Sequence, residues 1–120
     1  MKIIIAGGRT FADYDLMERE CDRIIGNYQG EITIVSGTAG GADKLGERYA
    51  ANRGYSVERH PANWDAYGKS AGYRRNEEMA QCSNALIAFW DGVSKGTGHM
   101  INLANEYKLK VFVIRYGGTQ

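Results

Sequence analysis

The sequence contains little proline, cysteine or histidine: one proline, two cysteines and two histidines among 120 residues. Cys21 and Cys82 each stand alone in apolar surroundings, which predicts reduced, buried thiols and excludes a disulfide framework. Together with His60 and His99 they form no recognised metal-ligand spacing. We therefore expect neither a metal site nor a bound cofactor.

A large excess of charge and long apolar runs are also absent. The formal net charge is +1, which argues against a strongly basic nucleic-acid binder and against a polybasic membrane surface. The longest apolar runs are too short to span a bilayer. A strand pattern begins at once at the N-terminus, so we expect no signal peptide and a cytoplasmic protein. The length fits one domain covering residues 1–120.

Glycine, by contrast, is abundant, with 16 residues that cluster after apolar runs. The most informative cluster follows residues 32–35, and a helical pattern with apolar residues at Ala42, Leu45 and Tyr49 follows directly. This order predicts a strand, a tight turn and a helix. Glycines let backbone N–H groups approach a ligand, and a helix N-terminus attracts phosphate. The alternative is a helix entry without a ligand, with Asp43 in its first turn.

Apolar runs and helical periodicities alternate along the rest of the chain. Strands are predicted at residues 2–6, 31–35, 55–59, 84–89 and 111–114, and helices at residues 13–25, 42–53, 71–80 and after residue 98. Residues 60–69 are predicted to form a long loop. This alternation predicts an α/β, Rossmann-like three-layer sandwich with a parallel five-stranded sheet in the order 3-2-1-4-5 and helices on both faces.

Three loops rich in Gly, Ser and Thr follow predicted strands, at residues 7–10, 36–41 and 92–98. In that strand order they are neighbours at the carboxyl edge of the sheet, where ligands bind. No GxGxxG motif follows the first strand, and residues 68–70 (Gly-Lys-Ser) lack the leading glycine and the preceding strand of a P-loop. The sequence therefore predicts a site for a nucleotide or another phosphorylated ligand, and excludes a P-loop ATPase.

Several polar and aromatic side chains are candidates for this edge. Arg75 can pair with phosphate oxygens, and Trp64 and Trp90 can stack on a base. Asp43 and Asp91 are the candidate catalytic carboxylates. The alternatives are a solvated cation, core packing, helix capping by Asp43 and turn formation by Asp91.

Taken together, five segments resemble the SLOG superfamily, the Rossmann-like fold shared by LOG phosphoribohydrolases and DprA/Smf DNA-processing proteins. The resemblance is greatest to its small YspA/YpsA-related branch, many members of which are carried by phages and bacteria. The segments are residues 7–11, 36–43, 61–64, 75–76 with Met79, and 89–92 with 96–98. With the loops above, the predicted ligand-binding residues are Gly7, Gly8, Arg9, Thr10, Ser36, Gly37, Thr38, Ala39, Gly40, Gly41, Asp43, Asn63, Trp64, Arg75, Asn76, Trp90, Asp91, Gly96, Thr97 and Gly98.

The resemblance implies a nucleotide-derived ligand and leaves three functions open. The first is a module that senses or sequesters a nucleotide signal, as in phage–bacteria conflict. The second is LOG-like hydrolysis of an N-glycosidic bond, in which Asp91 or Asp43 replaces the glutamate of LOG enzymes, because Met100 stands near that position. The third is DprA-like binding of single-stranded nucleic acid, against which the near-neutral charge argues. Relatives are often dimers, so a homodimer is a further expectation.

Overall fold

A computed structural model describes residues 1–117. Its helices and strands, in chain order, are β1 (Lys2–Gly7), α1 (Tyr14–Ile25), β2 (Thr33–Ser36), α2 (Ala42–Arg53), β3 (Ser56–Arg59), α3 (Trp64–Tyr67), a 3₁₀ turn (Gly68–Ser70), α4 (Ala71–Cys82), β4 (Ala85–Trp90), α5 (Lys95–Glu106) and β5 (Lys110–Arg115). The predicted domain was drawn to residue 120, so its last three residues lie outside the described part.

The five strands form one parallel sheet in the order β3-β2-β1-β4-β5. Alternate residues of the central strands face opposite layers of helices. Ile3 and Ile5 pack with apolar residues of α1 and α2, whereas Ile4 and Leu86 pack with those of α4 and α5. Both faces are covered, as a parallel sheet requires. The predicted α/β sandwich and its strand order are confirmed.

Local signals in the sequence account for several helix boundaries. The carboxylate of Asp13 caps α1 by accepting a hydrogen bond from the Leu16 N–H (3.0 Å). Gly54 ends α2 in the left-handed conformation, with φ of 73°, which favours glycine because other residues carry a Cβ. No helix within residues 1–117 is long and apolar enough to cross a membrane.

The structure differs from the predicted elements in two loops. Residues 60–69 do not form a continuous loop, because the Asn63 side chain accepts a hydrogen bond from the Ala66 N–H (3.1 Å) and caps the short helix α3. One helical turn is too short to show a periodicity. Helix α5 begins at Lys95, so Gly96 and Gly98 belong to its first turns and not to the preceding loop.

The two cysteines differ in their burial. Cys21 is a fully buried thiol, as predicted, whereas Cys82 at the end of α4 is only partly buried. The expectation of two buried thiols is therefore wrong for Cys82, which ends α4 beside the edge strand of the sheet, with Sγ 3.3 Å from the Glu58 carboxylate of β3.

Candidate functional site

A cavity of about 480 Å³ opens at the carboxyl edge of the sheet. Its walls are the loop after β1, the start of α2, the first half of α4 and the N-terminus of α5. A second cavity of about 390 Å³ shares Arg9, Ala39, Trp64 and Arg75 with it. Together they form one concave surface, which we call the edge cavity; its size is typical of small-molecule sites.

Most of the residues predicted to bind a ligand line this surface. They are Gly7, Gly8, Arg9, Thr10, Gly37, Thr38, Ala39, Gly40, Asp43, Trp64, Arg75, Asn76, Gly96 and Thr97. The three predicted loops therefore converge. Their convergence follows from the strand order, because β2, β1 and β4 are adjacent.

Three of the predicted residues do not line the edge cavity, namely Ser36, Gly41 and Asn63. They support the segments that form its walls. The Ser36 hydroxyl donates to the Glu47 carboxylate (2.7 Å) and accepts from the Thr38 N–H (3.1 Å). Gly41 has φ of 70°, and a Cβ there would lie 2.3 Å from the Gly8 carbonyl oxygen. Glycine at this position lets α2 start directly against the loop after β1. As described above, Asn63 caps α3.

Trp90, Asp91 and Gly98 also lie outside the cavity lining. The Asp91 carboxylate accepts hydrogen bonds from the N–H groups of Val93 (2.9 Å) and Ser94 (2.8 Å) and from the Ser94 hydroxyl (2.9 Å). The backbone N–H groups hold the pKa of Asp91 below its usual value. The Trp90 indole N–H donates to the Ser94 carbonyl oxygen (3.0 Å). Both side chains thus form the turn that leads into α5, and this favours turn formation over catalysis for Asp91.

Positive charge dominates the edge cavity. Four cationic side chains line it, namely Arg9, Lys69, Arg75 and Lys95. Within residues 1–117, none of the four forms a salt bridge with a carboxylate, whereas Arg53 on α2 pairs with both Glu18 and Asp22. Cations whose charge no carboxylate neutralises are available to an anion such as phosphate.

Asp43 is the one acidic side chain in the described lining of the cavity. It is 6% exposed, and burial raises its pKa to about 6. The Ala39 N–H donates to its carboxylate (3.1 Å), and the positive charges of Arg75 and Arg9 oppose the effect of burial. A buried carboxyl with a pKa near neutrality can take up or release a proton in a reaction.

Arg75 and Asn76 connect α4 to the loops on either side. The Arg75 guanidinium donates to the Gly37 carbonyl oxygen and to the Asn76 amide oxygen (3.0 Å for the latter). Burial lowers the pKa of Arg75. The buried Asn76 donates through Nδ2 to the Gly96 carbonyl oxygen (3.4 Å). This chain of contacts fixes the guanidinium between the glycine-rich loop and α5.

The N-terminus of α5 faces the edge cavity. Its first described helical hydrogen bond runs from the Gly98 N–H to the Ser94 carbonyl oxygen (3.1 Å), so the three preceding N–H groups have no partner within the helix. A Cβ on Gly96 would meet no atom within 4 Å. The backbone is therefore open to an anion at this point, and the helix dipole favours one.

Aromatic rings and apolar side chains complete the lining. Trp64 and Tyr73 are each about half exposed, and Met79 and Met100 lie deeper in the cavity. The Tyr73 ring lies 4.2 Å from the ring of His99, whose pKa is lowered by burial. Sequence reasoning did not include Tyr73 among the ligand-binding residues. Its position one helical turn before Asn76 is the signal that would have placed it there.

The backbone of the glycine-rich loop is strained at one residue. Thr38 has φ of 63°, a conformation that is uncommon for a β-branched side chain. Its N–H is held by the Ser36 hydroxyl, and the residue lines the smaller part of the cavity. Strain of this kind is concentrated at functional sites.

Comparison with known proteins gives three similarities. The sequence model of the family described as YspA, cpYpsA-related SLOG matches residues 1–67. The Gene 61 protein of Mycobacterium phage D29 is 33% identical to this chain. The match covers 97% of this chain and 96% of that protein. The X-ray structure of DNA processing protein A (DprA) from Streptococcus pneumoniae superposes with a TM-score of 0.74 at 19% identity. The superposition covers 97% of this chain but 50% of DprA, so the chain spans about half the length of that structure.

Proposed function

The chain belongs to the YspA, cpYpsA-related SLOG family, and from this premise we propose that it binds a nucleotide or nucleotide-derived ligand in the edge cavity. The observation that carries the proposal is the set of four cations around one cavity, none of them paired with a carboxylate in residues 1–117. Sensing or sequestering a nucleotide signal is the function that such a binding site supports best.

The lining supports one orientation of the ligand. Phosphate oxygens would lie at the N-terminus of α5, within reach of Lys95 and Arg9, because the helix dipole and both cations attract negative charge there. The base would stack against Trp64 or Tyr73. Arg75 lies between these two regions and would bind a phosphate or the ribose through its planar fork.

Hydrolysis of an N-glycosidic bond is the second candidate, and Asp43 is the observation that favours it. Its carboxyl lines the cavity, and its pKa of about 6 suits proton transfer. In this reaction the bond between base and ribose breaks, water adds to the sugar carbon, and the departing base takes up a proton. Met100, which stands near the position of the LOG glutamate, contributes only an apolar side chain to the lining.

Mass spectrometry on a nucleotide panel separates the two candidates. The purified chain is incubated with mononucleotides, dinucleotides and cyclic nucleotides, and each mixture is measured before and after the protein is denatured. A compound that disappears from the free pool and returns intact on denaturation supports sequestration. Base and ribose phosphate in more than stoichiometric amounts support hydrolysis. If no compound is retained or converted, nucleotide binding is wrong.

A pair of arginine variants then locates the site. Arg75→Ala should weaken binding by about 1.5–3 kcal/mol, roughly 10-fold to 150-fold, because a charged hydrogen bond is lost. Arg74→Ala is the matched control, since Arg74 is the next residue on α4 but stacks on the Tyr67 ring (4.3 Å) outside the cavity lining. Isothermal calorimetry measures both affinities. If both variants lose the same amount of affinity, Arg75 is not part of the site.

A further inference from the structure

Three side chains of different chemistry converge away from the edge cavity lining. They are Glu58 of β3, His60 just after that strand, and Cys82, the last residue of α4. One ligand atom from each lies within 4.8 Å of the other two. We propose that these three residues form a binding site for a zinc ion. The proposal is independent of nucleotide binding and departs from the expectation, drawn from sequence spacing, that the chain has no metal site.

Two of the three distances between the ligand atoms are close to those around a tetrahedral metal. His60 Nε2 lies 2.6 Å from Glu58 Oε2, Cys82 Sγ lies 3.3 Å from Glu58 Oε2, and Cys82 Sγ lies 3.8 Å from His60 Nε2. Ordinary zinc bond lengths at a tetrahedral angle put such atoms about 3.3–3.6 Å apart. A metal would therefore need the Glu58 and His60 atoms to separate by less than about 1 Å.

A second layer of contacts orients the proposed ligands. His60 Nε2 donates to Glu58 Oε2 (2.6 Å), and Nδ1 faces the Glu78 carboxylate (3.4 Å). A metal would replace the proton on Nε2, and the Glu78 carboxylate would then accept from the N–H at Nδ1. Lys2 Nζ contacts Glu58 Oε1 (2.7 Å), so the other carboxylate oxygen, Oε2, remains for the metal. Histidine ligands of zinc commonly have a carboxylate on the far ring nitrogen, as His60 does here.

The donor set indicates which metal would bind. Nitrogen, sulfur and oxygen together suit zinc, whereas magnesium and calcium take oxygen ligands. Binding would convert the Cys82 thiol to a thiolate and release its proton to the solvent. Three protein ligands leave a fourth position for water. The ion would tie the end of the edge strand β3 to the end of α4.

Metal titration of the full chain tests this site. Chain stripped of metal with a chelator is titrated with zinc against a chromophoric competitor, and with cobalt as a spectroscopic probe. We expect one ion per chain and, with cobalt, a thiolate charge-transfer band together with the visible bands of a tetrahedral ion. Absence of zinc binding at micromolar concentrations, or cobalt spectra without the thiolate band, would overturn the proposal.

Two cysteine variants assign the thiolate. Cys82→Ser should remove the charge-transfer band and weaken zinc binding at least 100-fold. Cys21→Ala is the matched control, because Cys21 is buried in the opposite layer, among α1 and α2, and should leave both unchanged. If Cys82→Ser binds zinc as tightly as the wild type does, Cys82 is not a ligand and the proposal fails.

Variants of His60 and Glu78 test the site independently if Cys82→Ser fails to fold. His60→Gln should weaken zinc binding to the same extent, and circular dichroism verifies its fold. Glu78→Gln should weaken it about 10-fold to 100-fold, the usual effect of an outer-layer partner. Wild-type affinity in His60→Gln would also contradict the site. Failure of these tests leaves nucleotide binding at the edge cavity unaffected, since Arg75 and its neighbours take no part in them.

Discussion

At the residue scale, Asp43 in the edge cavity has a pKa well away from that of an ordinary carboxyl. Its pKa in the folded protein is about 6, against an ordinary value of 3.8, with burial as the main cause. The folded state therefore binds this proton more tightly than the unfolded state does. The group favours folding below about pH 4, and that contribution is lost as the pH rises through 6. A difference of about 2 between the pKa values in the folded and unfolded states corresponds to about 3 kcal/mol in the free energy of unfolding.

Asp43→Asn should therefore raise the free energy of unfolding at pH 7, by up to about 3 kcal/mol. It should also remove the decrease in stability that the wild type shows between about pH 4 and 6. Asparagine can still accept the hydrogen bond from the Ala39 N–H. Urea denaturation at a series of pH values measures both effects. Asp15→Asn, an exposed position on α1, serves as the control; identical pH profiles for Asp43→Asn and the wild type would contradict the assigned pKa.

The same variant bears on the two candidate functions. If Asp43 exchanges a proton with the substrate, Asp43→Asn abolishes turnover while the folded state becomes more stable. A gain in stability at the expense of activity is typical of active-site residues. Unchanged turnover would exclude Asp43 from the reaction.

At the element scale, the residue at which α5 begins determines whether the segment after β4 can bind an anion. Asp91 forms the turn and the helix begins at Lys95, so free N–H groups face the edge cavity. Gly96 has no side chain to cover this surface, and a Cβ at this position would meet no atom within 4 Å. The glycine is therefore compatible with a ligand and is not required by the fold.

Gly96→Leu should abolish ligand binding without destabilising the fold. Leucine favours helix more than glycine does, by about 0.5–1 kcal/mol, so the melting temperature should stay the same or increase. Asn105→Leu is the matched control, an exposed position near the other end of the same helix. Thermal denaturation and calorimetry measure the two properties. If Gly96→Leu binds like the wild type, the ligand does not occupy the N-terminus of α5.

Neighbouring elements also hold one another in place around the cavity. The buried Asn76 of α4 bonds to the start of α5, and Arg75 bonds to the loop after β2. Both residues precede the contact between α4 and the edge strand β3, where Cys82 meets Glu58. Helix α4 therefore links the proposed nucleotide site to the proposed zinc site.

At the scale of the whole molecule, a net charge of +1 gives a weak overall field. Locally, however, four cationic side chains, Arg9, Lys69, Arg75 and Lys95, line the edge cavity against one described carboxylate, that of Asp43. Such a distribution favours a small anion over a polyanion, since a long nucleic acid needs a continuous basic path. Nucleic-acid binding, which the name DNA processing protein A suggests for DprA, has less support in this chain. A homodimer and a cytoplasmic location stay predictions.

Salt dependence distinguishes these two kinds of ligand. Between 50 and 200 mM salt, affinity for a mononucleotide should decrease by about tenfold or less, because few phosphate charges are neutralised. A single-stranded oligonucleotide with six or more phosphates in contact with the protein would lose about 300-fold or more. Fluorescence anisotropy measures both under the same conditions. Tight oligonucleotide binding with the steep dependence would favour the DprA-like function instead.

The sequence by itself determined the layers, the strand order and the loops that carry the site. Apolar runs without polar alternation predict buried parallel strands, as in β1, and the connections then permit few topologies. Helix caps such as Asp13 and Gly54 are local signals, so they could be read from neighbouring residues alone. The resemblance to SLOG proteins added Asn63, which no periodicity predicts, and supported Arg75 and Asn76, which their place after the long loop had already indicated.

Only the tertiary structure decided which side chains reach the cavity and which support it. Trp90 ends β4 and Asp91 follows it, but their polar atoms are used within the turn. Glu58, His60 and Cys82 are separated by up to 24 residues in the chain and meet because the end of α4 lies beside the edge strand β3. Side-chain direction and helix packing set these contacts. Neither is encoded by spacing along the chain, because both depend on elements that are distant in sequence.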